Sequence, residues 1–573
     1  MAKIKGSVRT SQLITTYGIG SIIAIEDESW TVAGLHLWNV GEPDIREPRL
    51  EKDLRVSGFV RPPATGDDEE NDVPVFRFPG WCYCPTCNRL DRHGQFGAPN
   101  DNHCERCEEN PGLIPSRFVV ACPRGHLDDF PYSRWVHGGR DLRGVDHKLR
   151  FTTRGVSAAL RDVEISCSCG LSETMEHAFS AAMLARIGGG CTGRRPWLDD
   201  TEVCDEDPRA IQRGASNGWY PLLRSSISIP PWSEAAFRRI SRHWAWIKNI
   251  SDSDLPAVIG AQPGLITEEF SLEDLVEVVR QRKRLEAGED TGDERLRDQE
   301  YEALQRGREE RTYQQDFVCV STGVSVEVSD WFEQVMLVKR LREVRALASF
   351  TRLLPPDQQT ESEYLAELSL DEVHWLPAIE VSGEGVFIKL DPERLAAWEG
   401  NASVKTRIDG LNARYAASQA SRGAVVLRPI TARFVAIHTL AHVLIDQWAL
   451  DSGYGASELR ERLYVSDEMT GLLIYTATSD SSGSLGGLVA RGEPVPFAQS
   501  LRDAITRAAW CSADPLCIES TQAGVDGLNV AACHACVLLP ETSCEERNCF
   551  LDRALLVGTP ENPDSGLFSA LLG

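Results

Sequence analysis

The pattern Cys84-Pro-Thr-Cys87, sixteen residues, then Cys104-Glu-Arg-Cys107 constrains this chain more than any other stretch of it. Each pair of thiolates forms a knuckle, two knuckles converge tetrahedrally on one ion, and the intervening length suits a short hairpin. The reading is one structural zinc at Cys84, Cys87, Cys104 and Cys107. A redox pair would need only one such knuckle. Disulfides are not expected either, because no apolar stretch of signal-peptide length follows the opening Met1-Ala-Lys-Ile-Lys-Gly-Ser. No later apolar run approaches a membrane span, so the chain is expected in the cytoplasm, with its cysteines serving metal.

The chain has 17 cysteines, and two further groups follow from their spacing. Cys167-x-Cys169-Gly, Cys191 and Cys204 form a looser set of four thiolates, with nearby glycines to ease tight metal turns. Cys517, Cys533-His-Ala-Cys536 and Cys544 form a closed four-sulfur set that suits zinc, with an iron–sulfur cluster as the alternative. His534, inside that knuckle, reads as a neighbour and not a ligand. Three zinc ions are therefore expected. Cys82, Cys122, Cys319, Cys511 and Cys549 are left over. Cys122-Pro-Arg-Gly-His126 offers a Cys and His pair that could join one of these sites, belong to another, or make a polar contact in a turn. None of the sets keeps an open coordination position, so metal catalysis is not assigned.

At 573 residues, 42% hydrophobic and 25% charged, the chain is expected to fold along nearly its whole length into about three or four domains. The expected class is α+β multidomain. It comprises an N-terminal α/β segment (1–78), a cysteine-rich zinc-stapled region (79–205), a mainly helical middle (206–370) and a mixed α/β C-terminal domain with a four-cysteine metal site (371–573). Residues 67–72 read as a solvated acidic loop and Gly288–Asp293 as a surface linker.

The net charge of −25 opposes general attraction to a polyanion, so any nucleic-acid role must be local or delegated. Arg238, Arg239, Arg242 and Lys248, interleaved with Phe237, Trp244 and Trp246, are the best local candidate for a single-strand path. An amphipathic helix with its aromatics in the core is the plainer reading of the same residues. Asp371-Glu-Val-His374 looks like the acidic box of a helicase motor, but no Gly-x4-Gly-Lys-Ser/Thr phosphate loop accompanies it. The turn at Gly18 and Gly20 likewise lacks the rest of a phosphate-binding fingerprint. His438-x3-His442 has metalloprotease spacing, yet Thr439 stands where a general-base Glu is needed, so core or partner-contact histidines are expected. The Gly-rich Ser479–Leu488 stretch reads as a tight connection. A metal-dependent nuclease or hydrolase using His438, His442 and Asp480 is the enzymatic alternative, and a scaffold with no nucleic-acid contact is a further one.

His438-Thr-Leu-Ala-His442, Gly453-Tyr-Gly-Ala-Ser-Glu-Leu, Leu473-Ile-Tyr-Thr-Ala, Asp514-Pro-Leu-Cys517 and Cys533-His-Ala-Cys-Val-Leu-Leu-Pro-Glu-Thr-Ser-Cys544 occur in this order. Together they resemble the cysteine-bearing C-terminal domain appended to certain superfamily 2 helicases. Arg9-Thr-Ser-Gln, Arg77-Phe-Pro-Gly-Trp-Cys-Tyr-Cys84 and Cys122-Pro-Arg-Gly-His-Leu-Asp-Asp-Phe-Pro131 resemble the DrmB family of the bacterial DISARM anti-phage system. Relatives in that family tend to carry a cysteine near position 145, where this chain has Gly144-Val-Asp-His147. The resemblance implies a non-motor, non-enzymatic accessory subunit. Its partner would be a DrmA-like superfamily 2 helicase, and it would meet DNA mainly through that complex.

Overall fold

Alternating apolar patterns and glycine-bearing turns divide the chain into many short strands and a few long helices, and these assemble into two compact units. One comprises Met1–Ile45, Leu54–Arg224 and Arg345–Ile379; the other comprises Arg46–Asp53, Ser225–Val344 and Glu380–Gly573. The computed structural model describes residues 6–63, 72–98, 101–140, 147–154, 159–188, 190–262, 264–267, 270–286, 293–310, 315–356, 362–421, 426, 428–476 and 486–572. Residues 67–71 of the acidic run, 288–292 of the linker and 477–485, with Asp480, lie outside the described residues.

The first unit is built mainly from antiparallel sheets, with one parallel pairing of Gly58–Val60 with Trp375–Pro377. One has the order Ser172–Thr174, Val163–Cys167, Leu149–Thr153, Arg89–Arg92, Trp81–Tyr83 and Ile114–Pro115. A three-stranded sheet has Phe118–Ala121 between Arg209–Gln212 and Leu127–Asp129. Alternation is clean on Val163–Cys167, where Val163, Ile165 and Cys167 are buried and the residues between them are half-buried. The inward side chains meet Phe118, Phe130, Trp135 and Phe151 in one core. Near the C-terminal end of this unit, Arg352 is fully buried. It donates to the carbonyls of Gly20 and Gly125, both at 2.7 Å, and of Gly218, and its guanidinium lies 4.8 Å from the Phe350 ring and 5.1 Å from the Trp197 ring. Gly20 has φ +78° and its position would set a Cβ 2.4 Å from Phe350, so only glycine fits this turn.

The second unit is centred on the helix Ala432–Ser452. Thr431 caps its start by accepting from Phe434 N at 3.3 Å, and Gly453, at φ +75°, ends it. This helix is apolar nearly all round, as a helix sunk in a core must be, with Ile437, Leu440, Leu444 and Trp448 fully buried. It packs on the antiparallel strands Leu459–Val465 and Thr470–Thr476, whose register pairs Glu461 with Ile474, and on the helix Pro494–Ala508. The middle stretch contributes Ala235–Ser241, Leu272–Glu286 and Asp293–Arg306 as helices, then the strand Phe332–Thr351 as far as Val344.

The period of two on Leu459–Val465 sorts charge as well as hydrophobicity. Leu459 and Leu463, with Glu461 between them, face the core around the long helix, while Tyr464 joins a second core on the other face. On that other face Arg462, with no exposed surface, clamps the equally buried Glu300 through Nε at 2.7 Å and Nη2 at 2.9 Å. Glu300 also accepts from Ile227 N at 2.9 Å and Tyr464 OH at 3.1 Å. Burial works against ionisation of Glu300, but Arg462, Arg49 and Arg297 outweigh it and hold its carboxyl below the usual range. Replacing Glu300 by Ala is expected to strand Arg462 and cost about 3–5 kcal/mol. Replacing the exposed Glu302 on the same helix should stay within about 0.5 kcal/mol. Denaturant midpoints of the two variants check this.

Candidate metal centres

Among the described residues, five groups of Cys, His and Glu side chains bring one donor atom each within 4.8 Å of one another. The first is Cys84, Cys87, Cys104 and Cys107. Its two knuckles are backbone turns. Cys84 N donates to Arg89 O at 3.0 Å and Asn88 N to Cys84 O at 2.9 Å, with Asn88 left-handed at φ 58°. Cys87 N points at Cys84 Sγ at 3.4 Å, a donor aimed where thiolate charge would sit. The sulfurs of Cys84 and Cys107 are 3.7 Å apart, and those of Cys87 and Cys104 4.0 Å. A tetrahedron with Zn–S bonds of about 2.3 Å has edges of about 3.8 Å.

The second group is Cys122, His126, Cys191 and Cys204. Cys122-Pro-Arg-Gly-His folds back on itself, with Gly125 N donating to Cys122 O at 3.0 Å and Cys122 N to His126 O at 3.2 Å. His126 Nδ1 stands 3.2 Å from Cys122 Sγ and 3.5 Å from Cys191 Sγ, and Cys204 Sγ is 4.0 Å from Cys122 Sγ. The other ring nitrogen of His126 bonds Glu202 at 2.6 Å, the carboxylate support expected behind a ligating imidazole. Contacts with Cys122, then His126 and Gly193 N, pull the Cys191 thiol down to about 4, which readies it as a thiolate.

The third group is His137, His147, Cys167 and Cys169. His147 Nδ1 is 3.0 Å from Cys167 Sγ, His137 Nε2 is 3.5 Å from Cys169 Sγ, and the two rings stand edge to face at 4.8 Å. His137 Nδ1 donates to Ser133 O at 2.6 Å, which leaves its Nε2 free to ligate. Cys169 is exposed, and the Leu171 amide, followed by Cys167 and the two histidines, lowers its thiol to about 6.

The fourth group is Cys511, Cys517, Cys533 and Cys536, with sulfur separations of 3.5 Å for Cys511–Cys533, 3.7 Å for Cys517–Cys536 and 3.6 Å within the knuckle. Asp514 shapes the turn, accepting from Cys511 N at 2.8 Å and Ile518 N at 3.0 Å, and is itself held by Arg553. The fifth group is His438, His442, Glu461 and Cys544, all buried.

Spacing sets Cys167, Cys169, Cys191 and Cys204 together; the structure instead places the first two with His137 and His147 and the last two with Cys122 and His126. The reason is that Val163–Cys167 pairs with Leu149–Thr153, which delivers His147, two residues before that strand, to the sulfurs. Spacing likewise joins Cys544 to Cys517, Cys533 and Cys536, whereas Cys511 takes the fourth place and Cys544 lies against His438. Cys122, His126 and Cys511 are thus drawn into clusters, while Cys82 and Cys319 are buried in the two units' cores and His534 is exposed. The tight Cys511-x5-Cys517 spacing was the available signal for Cys511.

The basic candidates divide. Phe237 and Trp244 are buried, Arg238 pairs with Asp316 at 2.9 Å, and Arg239 donates to the carbonyls of Leu265, at 2.6 Å, and Gly264. Arg242 and Lys248 are exposed. Asp371, Glu372 and His374 also lie at the surface. If the fourth cluster holds an ion through Cys511, then Cys511→Ser should lower the zinc content of the purified chain by one ion, and Cys549→Ser should leave it unchanged. Elemental analysis of both variants checks this.

Comparison with known proteins fits a zinc-binding chain. Residues 440–537 match the MrfA Zn-binding domain, a span that holds all four sulfurs of the fourth cluster, and residues 9–220 match a domain of unknown function, DUF8724, which holds the first three. No helix among the described residues is long and apolar enough to cross a membrane. Over 576 residues the chain is 30% identical to the DISARM protein DrmB of Bacillus paralicheniformis, in an alignment that covers 96% of this chain and 99% of that protein. The chain therefore belongs to the DISARM DrmB family.

Proposed function

We propose that this protein is a non-motor, zinc-stapled accessory subunit of DISARM anti-phage defence that works in the cytoplasm, joins a DrmA-like superfamily 2 helicase and helps it engage foreign DNA. The observation that carries the reading is the end-to-end likeness to a DISARM protein, which leaves neither chain with a large unmatched region. The cysteine clusters support an architectural role. Each offers four protein donors, which fills the tetrahedral shell of zinc and leaves no position for a substrate or an activated water. Cys84, Cys87, Cys104 and Cys107; Cys122, His126, Cys191 and Cys204; His137, His147, Cys167 and Cys169; and Cys511, Cys517, Cys533 and Cys536 are the proposed ligand sets. Their ions take over stability that loop-rich stretches cannot draw from apolar burial.

The charge of −25 makes DNA contact a property of the complex, with the helicase supplying most of the cations. On this chain Arg242 and Lys248 extend the path, since both project from the surface at the ends of two short helices while Trp244 between them is anchored in the core. The chain alone is expected neither to hydrolyse ATP nor to cut DNA. Co-purification with the helicase encoded in the same operon tests the reading, and failure of the two to associate would refute it. Arg242→Glu with Lys248→Glu should leave assembly intact while weakening single-strand binding. Losing two phosphate contacts at about 0.7 each should lower the log–log salt slope by about 1.4. An unchanged slope would remove these residues from the path.

A further inference from the structure

Four donor side chains meet in the core of the second unit without any cysteine knuckle to announce them. His438 and His442, one helical turn apart on Ala432–Ser452, present their rings edge to face at 4.7 Å. Glu461 reaches them from the strand Leu459–Val465, its Oε1 3.1 Å from His438 Nε2 and 3.6 Å from His442 Nε2. Cys544 closes the group from the C-terminal loop, its sulfur 3.2 Å from His438 Nε2. His438, His442 and Glu461 have no exposed surface, and Cys544 is 5% exposed.

The groups around these donors orient them as ligands. His442 Nδ1 donates to Val537 O at 2.9 Å, which directs the lone pair of Nε2 at Glu461. Glu461 Oε1 accepts from Glu545 N at 3.0 Å, and Cys544 Sγ from Asn548 N at 3.2 Å. Even so, His442 Nε2, His438 Nδ1 and Glu461 Oε2 are buried with no hydrogen-bond partner. Orphaned polar atoms at such depth are costly.

A metal-free ion pair of protonated His438 with Glu461 accounts for one contact and leaves His442 Nε2 orphaned. A divalent cation takes His438 Nε2, His442 Nε2, a Glu461 oxygen and Cys544 Sγ as ligands at once, and so satisfies His442 Nε2. A thiolate and a carboxylate carry two negative charges, which the ion cancels, so a neutral group remains in a dry core. Two nitrogens, one oxygen and one sulfur are donors that zinc accepts in tetrahedral geometry.

We propose that His438, His442, Glu461 and Cys544 form a closed Zn2+ site, separate from the cysteine-rich clusters, that pins the central helix to the strand Leu459–Val465 and to the C-terminal loop. With all four positions taken by protein, it is architectural and not hydrolytic.

The test uses the full chain. Native mass spectrometry counts zinc in the unaltered protein and in His442→Gln with Cys544→Ser, with circular dichroism to confirm folding. A folded variant should hold one zinc fewer, and a folded variant with an undiminished count overturns the proposal. Should the variant fail to fold, the unaltered chain exchanged with 113Cd decides. Its NMR spectrum should contain one resonance of a single-thiolate, nitrogen- and oxygen-rich site, shifted far from those of sulfur-rich sites. A spectrum with sulfur-rich resonances alone overturns the proposal. Neither arm reads helicase capture, so failure here is distinct from failure of the accessory-subunit reading.

Discussion

The first unit is organised around a guanidinium that bonds backbone and not carboxylate. Arg352 gathers the carbonyls of Gly20, Gly125 and Gly218, which belong to the N-terminal turn, the Cys122 knuckle and a 3-10 turn, and it does so between two aromatic faces. Burial lowers its pKa to about 9, against which the nearby Cys122 sulfur works. A planar fork reaches three carbonyls from separate nitrogens while lying against two aromatic rings, a geometry the compact ammonium of a lysine does not match. Turns with little apolar surface of their own thereby acquire fixed positions, and the knuckle at Cys122 inherits its place from the same contact.

The second unit solves a different problem, that of charge inside a large apolar core. The strand Leu459–Val465 puts Glu461 on one face and Arg462 on the next, and each meets its own set of buried partners. On one side the compensation is a bidentate ion pair with Glu300; on the other a pair of imidazoles faces the carboxylate, beside the Cys544 sulfur. Adjacent residues of one strand thus tie the sheet to two separate cores, and a register slip by one residue would bring each charge to the wrong partners.

Much of this was legible in the sequence. Cys84, Cys87, Cys104 and Cys107 meet as their spacing requires, because both halves are local turns whose geometry is written within a few residues. The α+β class also follows from pattern. What the spacing could not carry is pairing between distant strands. Cys167 and Cys169 meet His147 through an antiparallel ladder, and Cys544 meets His438 across more than a hundred residues, contacts that depend on the finished fold. The histidines at 438 and 442 read as core or partner-contact residues, and they are buried; the strand that brings Glu461 to them has no local signature.

The division of the chain into units also has a temporal side. Arg46–Asp53, made early, belongs with residues made hundreds of positions later, and the first unit lacks its last strand segments until Ile379 has been synthesised. The cuts at 344/345 and 379/380 fall inside the strands Phe332–Thr351 and Trp375–Leu390. A nascent chain of this design therefore emerges with cysteine knuckles able to close by themselves well before Arg345–Ile379, the last segment of the first unit, has been made. Early metal capture would guard those thiols through the interval when the ribosome still holds the residues that bury them.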